Sequence, residues 1–269
     1  MEPSPYELYL PEGAGPFPLI CLTPILGRLV FLKDLFFEKR FAQFFASRGF
    51  AAALIDRPIF EFNPYQGLRQ IQNYLEESVQ RNKKVLDVLV HRIDIDPEKI
   101  GSFGMSFGAV VNSLWAAMDP RLRAHVLALA GGNIPEIILT SRDPLMRNYL
   151  KAIIESRDGT EDLEIDLQNS ILWDPLNVCP SISRENIFLL LGIFDRVIRF
   201  RYGLDLWKAM GKPKTYFLPL GHYGTILAVP FLKGRVLKFF RQKLRVSNPS
   251  RGFFRGGRPA RTKLREALG

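Results

Sequence analysis

Short apolar runs and segments with helical periodicity alternate along this chain. Residues 18–23 and 50–55 are apolar without the alternation of a half-exposed strand, so we predict two strands that are buried on both faces. Between them, residues 34–48 place several phenylalanines at helical spacing, and Gly49 follows at a position where helices commonly end. These patterns predict a strand, a helix and a second strand in succession.

The same alternation continues to residue 246 and predicts the fold class. Further helices are expected at 68–91, 107–118, 202–210 and 232–246, and further strands at 99–103, 124–130, 187–192 and 215–220. Strands that alternate with helices are typical of an α/β protein with a doubly wound, mostly parallel sheet flanked by helices. In such folds, functional groups lie on loops at the carboxyl ends of the strands.

Residues 133–184 interrupt the alternation of strands and helices. They contain helical patches at 136–140 and 144–155 but no clear strand, which predicts a small helical cap or lid inserted between two core strands. A surface helical excursion without a role is the alternative. The expected organisation is an α/β core of residues 1–132 and 185–246, a helical cap of residues 133–184, and a flexible tail of residues 247–269.

Composition narrows the class of protein. A chain of 269 residues with 47% hydrophobic and 24% charged residues can bury a sizeable core. Its apolar runs are far shorter than the roughly 20 residues that span a bilayer, and residues 1–5 lack the pattern of a secretory signal. Cys21 and Cys179 are too few for a disulfide framework or a zinc site. We therefore expect buried free thiols and a cytoplasmic protein.

The net charge of +10 is concentrated at one end of the chain. Residues 233–269 contain 12 Lys and Arg against one Glu, so the preceding part is almost neutral. Within the tail, Phe253 and Phe254 lie among arginines. Such a segment predicts weak contact with an anionic membrane, peripheral to the bilayer, or with nucleic-acid phosphates. A solvated extension with no partner is the alternative.

Residues 104–108 read Gly-Met-Ser-Phe-Gly, at the junction of a predicted strand and a predicted helix. A serine on such a sharp turn projects its hydroxyl above the sheet, and the flanking glycines avoid collisions with neighbouring backbone. The pattern alone is common, but its position between strand and helix makes it specific. Ser106 is therefore the candidate nucleophile.

A serine hydroxyl needs a neighbouring base, and the chain offers three histidines. His222 follows a predicted strand in a glycine-flanked turn, where a base facing Ser106 is expected. His91 lies near the end of a predicted helix, and His125 begins a predicted strand, so both are expected at the surface or at an edge. We predict that His222 is the base.

The base in turn needs a carboxylate that orients it. Asp195 follows the predicted strand at 187–192 and precedes His222 by 27 residues, a gap that one helix and one strand fill. Asp174 precedes a proline and is more typical of a turn or helix cap, and Asp205 lies inside a predicted helix. We predict Asp195 as the third member.

The order Ser106, Asp195, His222 resembles that of α/β-hydrolase-fold serine hydrolases, in the esterase and dienelactone-hydrolase-like branch, over residues 19–244. The resemblance implies an oxyanion hole formed by the N–H groups of Phe107 and Ile25. The usual His-Gly motif is absent, Pro24 has no N–H, and Leu26 is the second choice. Dienelactone hydrolase has cysteine in the elbow, so its particular reaction is not implied.

These residues predict a hydrolase that cleaves carboxylic esters or related small acyl substrates through an acyl-enzyme on Ser106, with no metal or organic cofactor. Thioesterases and peptidases share this architecture. Phe31, Phe36 and Phe37 are candidates for an acyl pocket, with a place in the core as the alternative. A different class remains open: a catalytically silent protein that binds membrane or RNA through its basic tail.

Overall fold

The computed structural model describes residues 6–25, 37–58, 60, 67–156, 162–247 and 261–262. The strands are β1 (Tyr6–Tyr9), β2 (Phe17–Thr23), β3 (Ala51–Ile55), β4 (Ile95–Met105), β5 (Leu122–Ala128), β6 (Ile187–Gly192), β7 (Lys214–Leu218) and β8 (Arg261–Thr262). The helices are α1 (Phe37–Ala46), α2 (Arg69–Leu89), α3 (Phe107–Met118), α4 (Ile134–Thr140), α5 (Pro144–Glu155), α6 (Leu163–Ser170), α7 (Pro175–Val178), α8 (Phe200–Ala209) and α9 (His222–Lys243).

The strands form one sheet in the order β7-β6-β5-β4-β2-β3-β1-β8. All pairs from β7 to β3 are parallel, whereas β1 pairs antiparallel with β3, and the two-residue β8 pairs antiparallel with β1. The mostly parallel α/β sheet expected from the alternation is confirmed. The antiparallel strand β1 was not predicted from the sequence.

Helices cover both faces of the sheet. On one face, α1 and α9 pack their phenylalanines on the strands: the ring centroids of Phe41 and Phe103 are 4.9 Å apart, and those of Phe45 and Phe240 are 5.8 Å apart. On the other face, α2 and α3 bury apolar side chains that include Leu86. Burial on both faces explains why the central strands are apolar throughout.

The segment between β5 and β6 is helical, as the sequence predicts. It contains α4, α5, α6 and α7, with no strand among its described residues. It is fixed to the core at several points: the Gln72 side-chain oxygen of α2 accepts hydrogen bonds from the N–H groups of Leu172 and Trp173 at 2.9 and 3.0 Å. The Tyr149 hydroxyl of α5 donates to the Gly67 carbonyl at 3.2 Å. The helical segment is therefore bonded to the core at two positions, Gly67 just before α2 and Gln72 within it.

Two elements are longer than their patterns indicated. β4 begins at Ile95, four residues before the predicted start, and α9 begins at His222 instead of residue 232. The early start of α9 extends this helix to the turn after β7. Pro230 lies inside it, and a proline usually ends a helix or bends it, which explains why the first part of α9 was not recognised.

Candidate active site

Ser106 lies between the last residue of β4 and the first residue of α3. Its φ of 52° and ψ of −124° fall in a region that non-glycine residues rarely adopt. The Ser106 N–H donates to the Ala128 carbonyl at the end of β5, at 2.8 Å, and its own carbonyl accepts from the N–H of Val110 at 3.1 Å. These bonds hold the strained turn, which directs the side chain away from the strand.

The two glycines of the elbow permit close backbone contacts. A Cβ atom on Gly104 would collide with the Gly108 carbonyl oxygen, and a Cβ atom on Gly108 would collide with the carbonyl oxygen of Thr23 at the end of β2. The start of α3 therefore lies directly against the end of β2. Larger residues at either position would separate these elements.

His222 is the first residue of α9, and 6% of its surface is exposed. Its Nε2 lies 2.9 Å from the Ser106 Oγ, although 116 residues separate the two along the chain. On the other side of the ring, Nδ1 lies 2.7 Å from the Asp195 Oδ2. The three side chains form a continuous hydrogen-bonded series.

Asp195 is also buried, and its two carboxylate oxygens have different partners. Oδ1 accepts from the N–H groups of Val197 and Ile198 at 2.8 and 3.0 Å, while Oδ2 faces His222. The backbone bonds fix the orientation of the carboxylate, so that Oδ2 is directed at the imidazole. Nδ1 would then carry the proton, which leaves Nε2 free to accept the serine proton.

The two loops that carry Asp195 and His222 are joined by main-chain hydrogen bonds. Beyond the paired part of β6 and β7, the Ile193 N–H donates to the Leu218 carbonyl at 2.8 Å, and the Phe194 N–H donates to the Leu220 carbonyl at 3.0 Å. The pairing of the strands thus continues into both loops. This continuity sets the distance between the carboxylate and the imidazole.

The expected oxyanion donors Phe107 and Ile25 follow the ends of the neighbouring strands β4 and β2. Phe107 begins α3, and the first N–H groups of a helix have no partner within it. Ile25 lies two residues after Thr23, the residue that pairs with Gly104 across the sheet. Ile25 is half-buried, and Leu26, the second choice, lies outside the described residues. An oxyanion role for Phe107 and Ile25 stays a prediction.

A buried hydrogen-bonded chain supports the end of β2. The Thr23 hydroxyl donates to the Asn112 Oδ1 of α3 at 2.6 Å and accepts from the Asn82 Nδ2 of α2 at 3.0 Å. All three residues are buried. They connect the segment before Ile25 to the helix that follows Ser106, and no local sequence pattern indicates this contact.

The alternative candidates for the carboxylate and the base do not take part in the hydrogen-bonded series of Ser106, His222 and Asp195. Asp174 caps α7 and accepts from the Asn133 N–H at 2.9 Å, as expected for a capping residue, and Asp205 is exposed on α8. His91 is exposed in the turn after α2, where its Nδ1 contacts the Asp87 carbonyl at 2.7 Å.

The expected position of His125 at a surface or an edge is wrong. It lies within β5, which is flanked by strands on both sides, and it is 2% exposed. Its Nδ1 is 3.1 Å from the Ser102 Oγ, and burial lowers the pKa of this imidazole to about 4. The apolar residues that follow His125 in β5 were the available signal for this burial.

A series of aromatic ring contacts begins at the residue after the serine. The Phe107 ring contacts Tyr74 with centroids 5.2 Å apart, Tyr74 contacts Phe60 at 5.0 Å, and Phe60 contacts Tyr149 of α5 at 6.1 Å. We call Phe60, Tyr74, Phe107 and Tyr149 the aromatic wall. The acyl-pocket candidates Phe31 and Phe36 lie outside the described residues, as does the side chain of Phe37.

Tyr223 connects the histidine turn to the helical segment between β5 and β6. Its ring lies edge-on to His222 with centroids 5.6 Å apart, and its hydroxyl donates to the Asp143 Oδ2 at 3.1 Å. Burial, with the nearby Asp143 carboxylate, raises the pKa of Tyr223 to about 12. Sequence reasoning did not single out this residue.

Neither a metal cluster nor a disulfide is formed by the described residues. No group of three or more His, Cys, Asp and Glu side chains in the described ranges could hold a metal ion. Cys21 and Cys179 are free and buried, and burial raises the pKa of both thiols. Within the described part of the chain, no helix is both long and apolar enough to span a membrane.

The sheet order, the elbow after β4 and the loops after β6 and β7 together define the α/β-hydrolase fold, and the chain is an α/β-hydrolase-fold protein. Similar solved structures include an acetyl xylan esterase from Paenibacillus sp. R4, with a TM-score of 0.64 and 15% identity over 89% of this chain and 80% of the other. A Klebsiella pneumoniae protein assigned as a dienelactone hydrolase has a TM-score of 0.59 and 15% identity over 89% and 93%.

Curated sequences match shorter stretches. The uncharacterized protein YdjC of Bacillus subtilis is 31% identical over 73 residues, which are 27% of this chain and 63% of that protein. Esterase FrsA of Escherichia coli O157:H7 is 30% identical over 118 residues, 44% of this chain and 26% of the esterase. The chain thus spans less than two thirds of these relatives. No protein-family model matches it.

Proposed function

We propose that this protein is a serine hydrolase that cleaves carboxylic esters through an acyl-enzyme on Ser106. The observation that carries the proposal is the buried series from the Ser106 Oγ through His222 to Asp195, with contacts of 2.9 and 2.7 Å. A nucleophile, a base within hydrogen-bond reach and an orienting carboxylate are the three parts that acyl transfer to a serine requires.

The proposed reaction has two halves. His222 Nε2 takes the proton of the Ser106 hydroxyl as Oγ attacks the ester carbonyl, and the imidazolium then gives this proton to the leaving alcohol oxygen. Water, deprotonated by the same imidazole, attacks the acyl carbonyl, and the imidazolium then returns the proton to the Ser106 Oγ as the bond to the acyl group breaks and the acid is released. Asp195 holds the imidazole and stabilises its charged form throughout.

The negative charge on the carbonyl oxygen needs donors during both halves. We propose the N–H groups of Phe107 and Ile25 for this role, since both follow strand ends that meet at the elbow. Fixed backbone donors lower the barrier because they need no reorganisation when charge develops, and the loss of one such donor typically costs about 3 kcal/mol.

The surroundings of the serine favour an apolar substrate. The aromatic wall begins at Phe107 and continues to Tyr149 of α5, and ligand sites of this kind are mostly apolar with a few polar groups. The names of esterase FrsA and of the acetyl xylan esterase support an ester over a thioester or a peptide.

Covalent labelling tests the proposal directly. A fluorophosphonate probe reacts with an activated serine, so the full chain should be labelled and Ser106→Ala should not. Ser181→Ala is the matched control, because Ser181 is an exposed serine whose hydroxyl donates to the nearby Val178 carbonyl, and its labelling should equal that of the parent.

Hydrolysis of p-nitrophenyl esters of graded acyl length then addresses the substrate. Turnover should be lost in Ser106→Ala and retained in Ser181→Ala, and the dependence on acyl length should report the size of the apolar site. Folded protein that neither becomes labelled nor hydrolyses any ester would contradict the proposal and favour the catalytically silent alternative.

A further inference from the structure

One face of α9 carries aromatic and apolar side chains that are partly or largely exposed, although the Tyr223 hydroxyl is bonded to Asp143. Tyr223, Leu227 and Phe231 are 42%, 49% and 88% exposed, and their spacing of four residues places them on one side of the helix. The opposite side packs on the sheet through Val236 and Phe240, among other residues. The helix is therefore fixed to the core while its outer apolar side faces solvent.

This face begins at the rim of the candidate site. Tyr223 directly follows His222 and contacts its ring. Phe194, which is 64% exposed, lies in the loop before Asp195, and its N–H donates to the Leu220 carbonyl next to the same turn. The apolar side chains thus extend from the loops that carry the base and the carboxylate along the first half of α9.

The second half of α9 is basic. Between His222 and Lys243 the helix contains five Lys and Arg and no Asp or Glu. Lys238 is exposed and follows Phe231 by seven residues, which is two helical turns, so it continues the same side. We call Phe194, Tyr223, Leu227, Phe231 and Lys238 the docking face.

We propose that the docking face binds the surface of an anionic lipid membrane and thereby places the rim of the site against the lipid. Exposed apolar side chains that insert among acyl chains, next to basic side chains that meet lipid phosphates, are the features of a helix that lies in the membrane interface. The five Lys and Arg of α9, with no acidic residue in that helix, supply the complementary charge.

The charge favours a membrane over other occupants of the docking face. A second copy of this chain would bring its own basic residues against those of the first. Nucleic acid would use the basic residues but leave Leu227 and Phe231 exposed. The inference concerns where the protein binds, and it stands apart from the proposed hydrolysis.

Vesicle co-sedimentation with the full chain tests the inference. We expect binding to phosphatidylcholine vesicles that contain phosphatidylglycerol, and at least about tenfold weaker binding to phosphatidylcholine alone. The double variant Leu227→Ser with Phe231→Ser should lower the affinity for the anionic vesicles about tenfold or more. Lys238→Glu should lower it about fivefold or more, with a larger effect at low salt.

Matched control variants distinguish binding through the docking face from nonspecific binding through any exposed apolar or basic side chain. Ile93 is 97% exposed in the turn before β4, at the opposite end of this strand from Ser106. Lys208 lies on α8. Ile93→Ser and Lys208→Glu should bind like the parent. All variants should keep its thermal midpoint, because the replaced side chains are exposed.

Several outcomes would overturn the inference. These are no preference for anionic vesicles, parental binding by the Leu227→Ser and Phe231→Ser double variant, and binding to RNA without binding to vesicles. A dimer in solution that the double variant dissociates would show a second copy on the face instead. Ser106→Ala should bind vesicles like the parent, so failure of the proposed hydrolysis and failure of docking are observed separately.

Discussion

The orientation of the Asp195 carboxylate is determined by a few hydrogen bonds. Its Oδ1 is occupied by two backbone N–H groups, so only Oδ2 faces the imidazole. A change that keeps the shape of this side chain but removes its charge and one acceptor therefore tests orientation without removing packing.

We expect Asp195→Asn to lower kcat for ester hydrolysis by about 10³ to 10⁴ with little effect on stability. The new amide can still accept from Val197 and Ile198, but its NH₂ group would face His222 Nδ1 and favour the tautomer with the proton on Nε2. Steady-state kinetics and thermal unfolding check this. Asp205→Asn, on the exposed side of α8, should match the parent, and a kcat within tenfold of it for Asp195→Asn would contradict the assigned role.

His125 makes stability depend on pH. Its pKa in the folded protein is about 4, below the usual value of about 6.5 in an unfolded chain, so the unfolded state binds more protons between these values. Stability should therefore fall as pH falls from about 6.5 to about 4, and this residue should contribute a loss of about 2 kcal/mol between pH 7 and pH 5.

Urea unfolding at both pH values measures this contribution. His125→Gln should show a smaller loss of unfolding free energy than the parent by that amount, whereas His91→Gln, at an exposed histidine, should behave like the parent. An equal loss in the parent and in His125→Gln would show that other groups cause the dependence.

At the scale of elements, the start of α3 and the end of β2 form a close backbone contact near the site. A methyl group on Gly108 would collide with the carbonyl oxygens of Thr23 and Pro24. Main-chain atoms cannot move aside as a flexible side chain can, so even this small addition must separate the helix from the strand.

We expect Gly108→Ala to lower the free energy of unfolding by about 1–3 kcal/mol. Gly234→Ala is the control: a Cβ atom there meets nothing within 4 Å, and the residue lies inside α9, so alanine should raise stability by about 0.5–1 kcal/mol. Chemical denaturation measures both. A neutral Gly108→Ala would contradict the tight contact between α3 and β2.

Local sequence patterns predicted the helices and strands themselves better than they predicted the contacts between distant parts of the chain. The elbow, the turn with His222 and the loop with Asp195 each directly follow an apolar strand, so parallel pairing brings them to one edge of the sheet. By contrast, the burial of His125, the antiparallel strand β1 and the contact of Tyr223 with Asp143 depend on residues distant in sequence. The chain of Asn82, Thr23 and Asn112 was missed for the same reason.

At the scale of the whole molecule, the helical segment between β5 and β6 is held to the core by hydrogen bonds to one buried side chain. Gln72 is buried, and its side-chain oxygen accepts from two successive N–H groups, those of Leu172 and Trp173. An apolar replacement would leave both donors without this partner, and an unsatisfied buried donor costs about 1–3 kcal/mol.

We expect Gln72→Leu to increase amide hydrogen exchange in residues 163–178 by about tenfold or more, with little change in the central strands. Gln168→Leu, an exposed position on α6, should leave the exchange of this segment unchanged. Mass spectrometry of proteolytic peptides measures both. Equal exchange in Gln72→Leu and the parent would show that apolar packing alone holds the segment.

The position of His222 at the start of the last long helix has a consequence for biosynthesis. Ser106 leaves the ribosome 116 residues before His222, so the elbow is synthesised long before its partner. A chain that stops before residue 222 has the proposed nucleophile but not the proposed base, and one that stops soon after it lacks the part of α9 that packs on the sheet. Under the proposed mechanism, reactivity of this serine would report that synthesis has passed α9 and that the helix has docked.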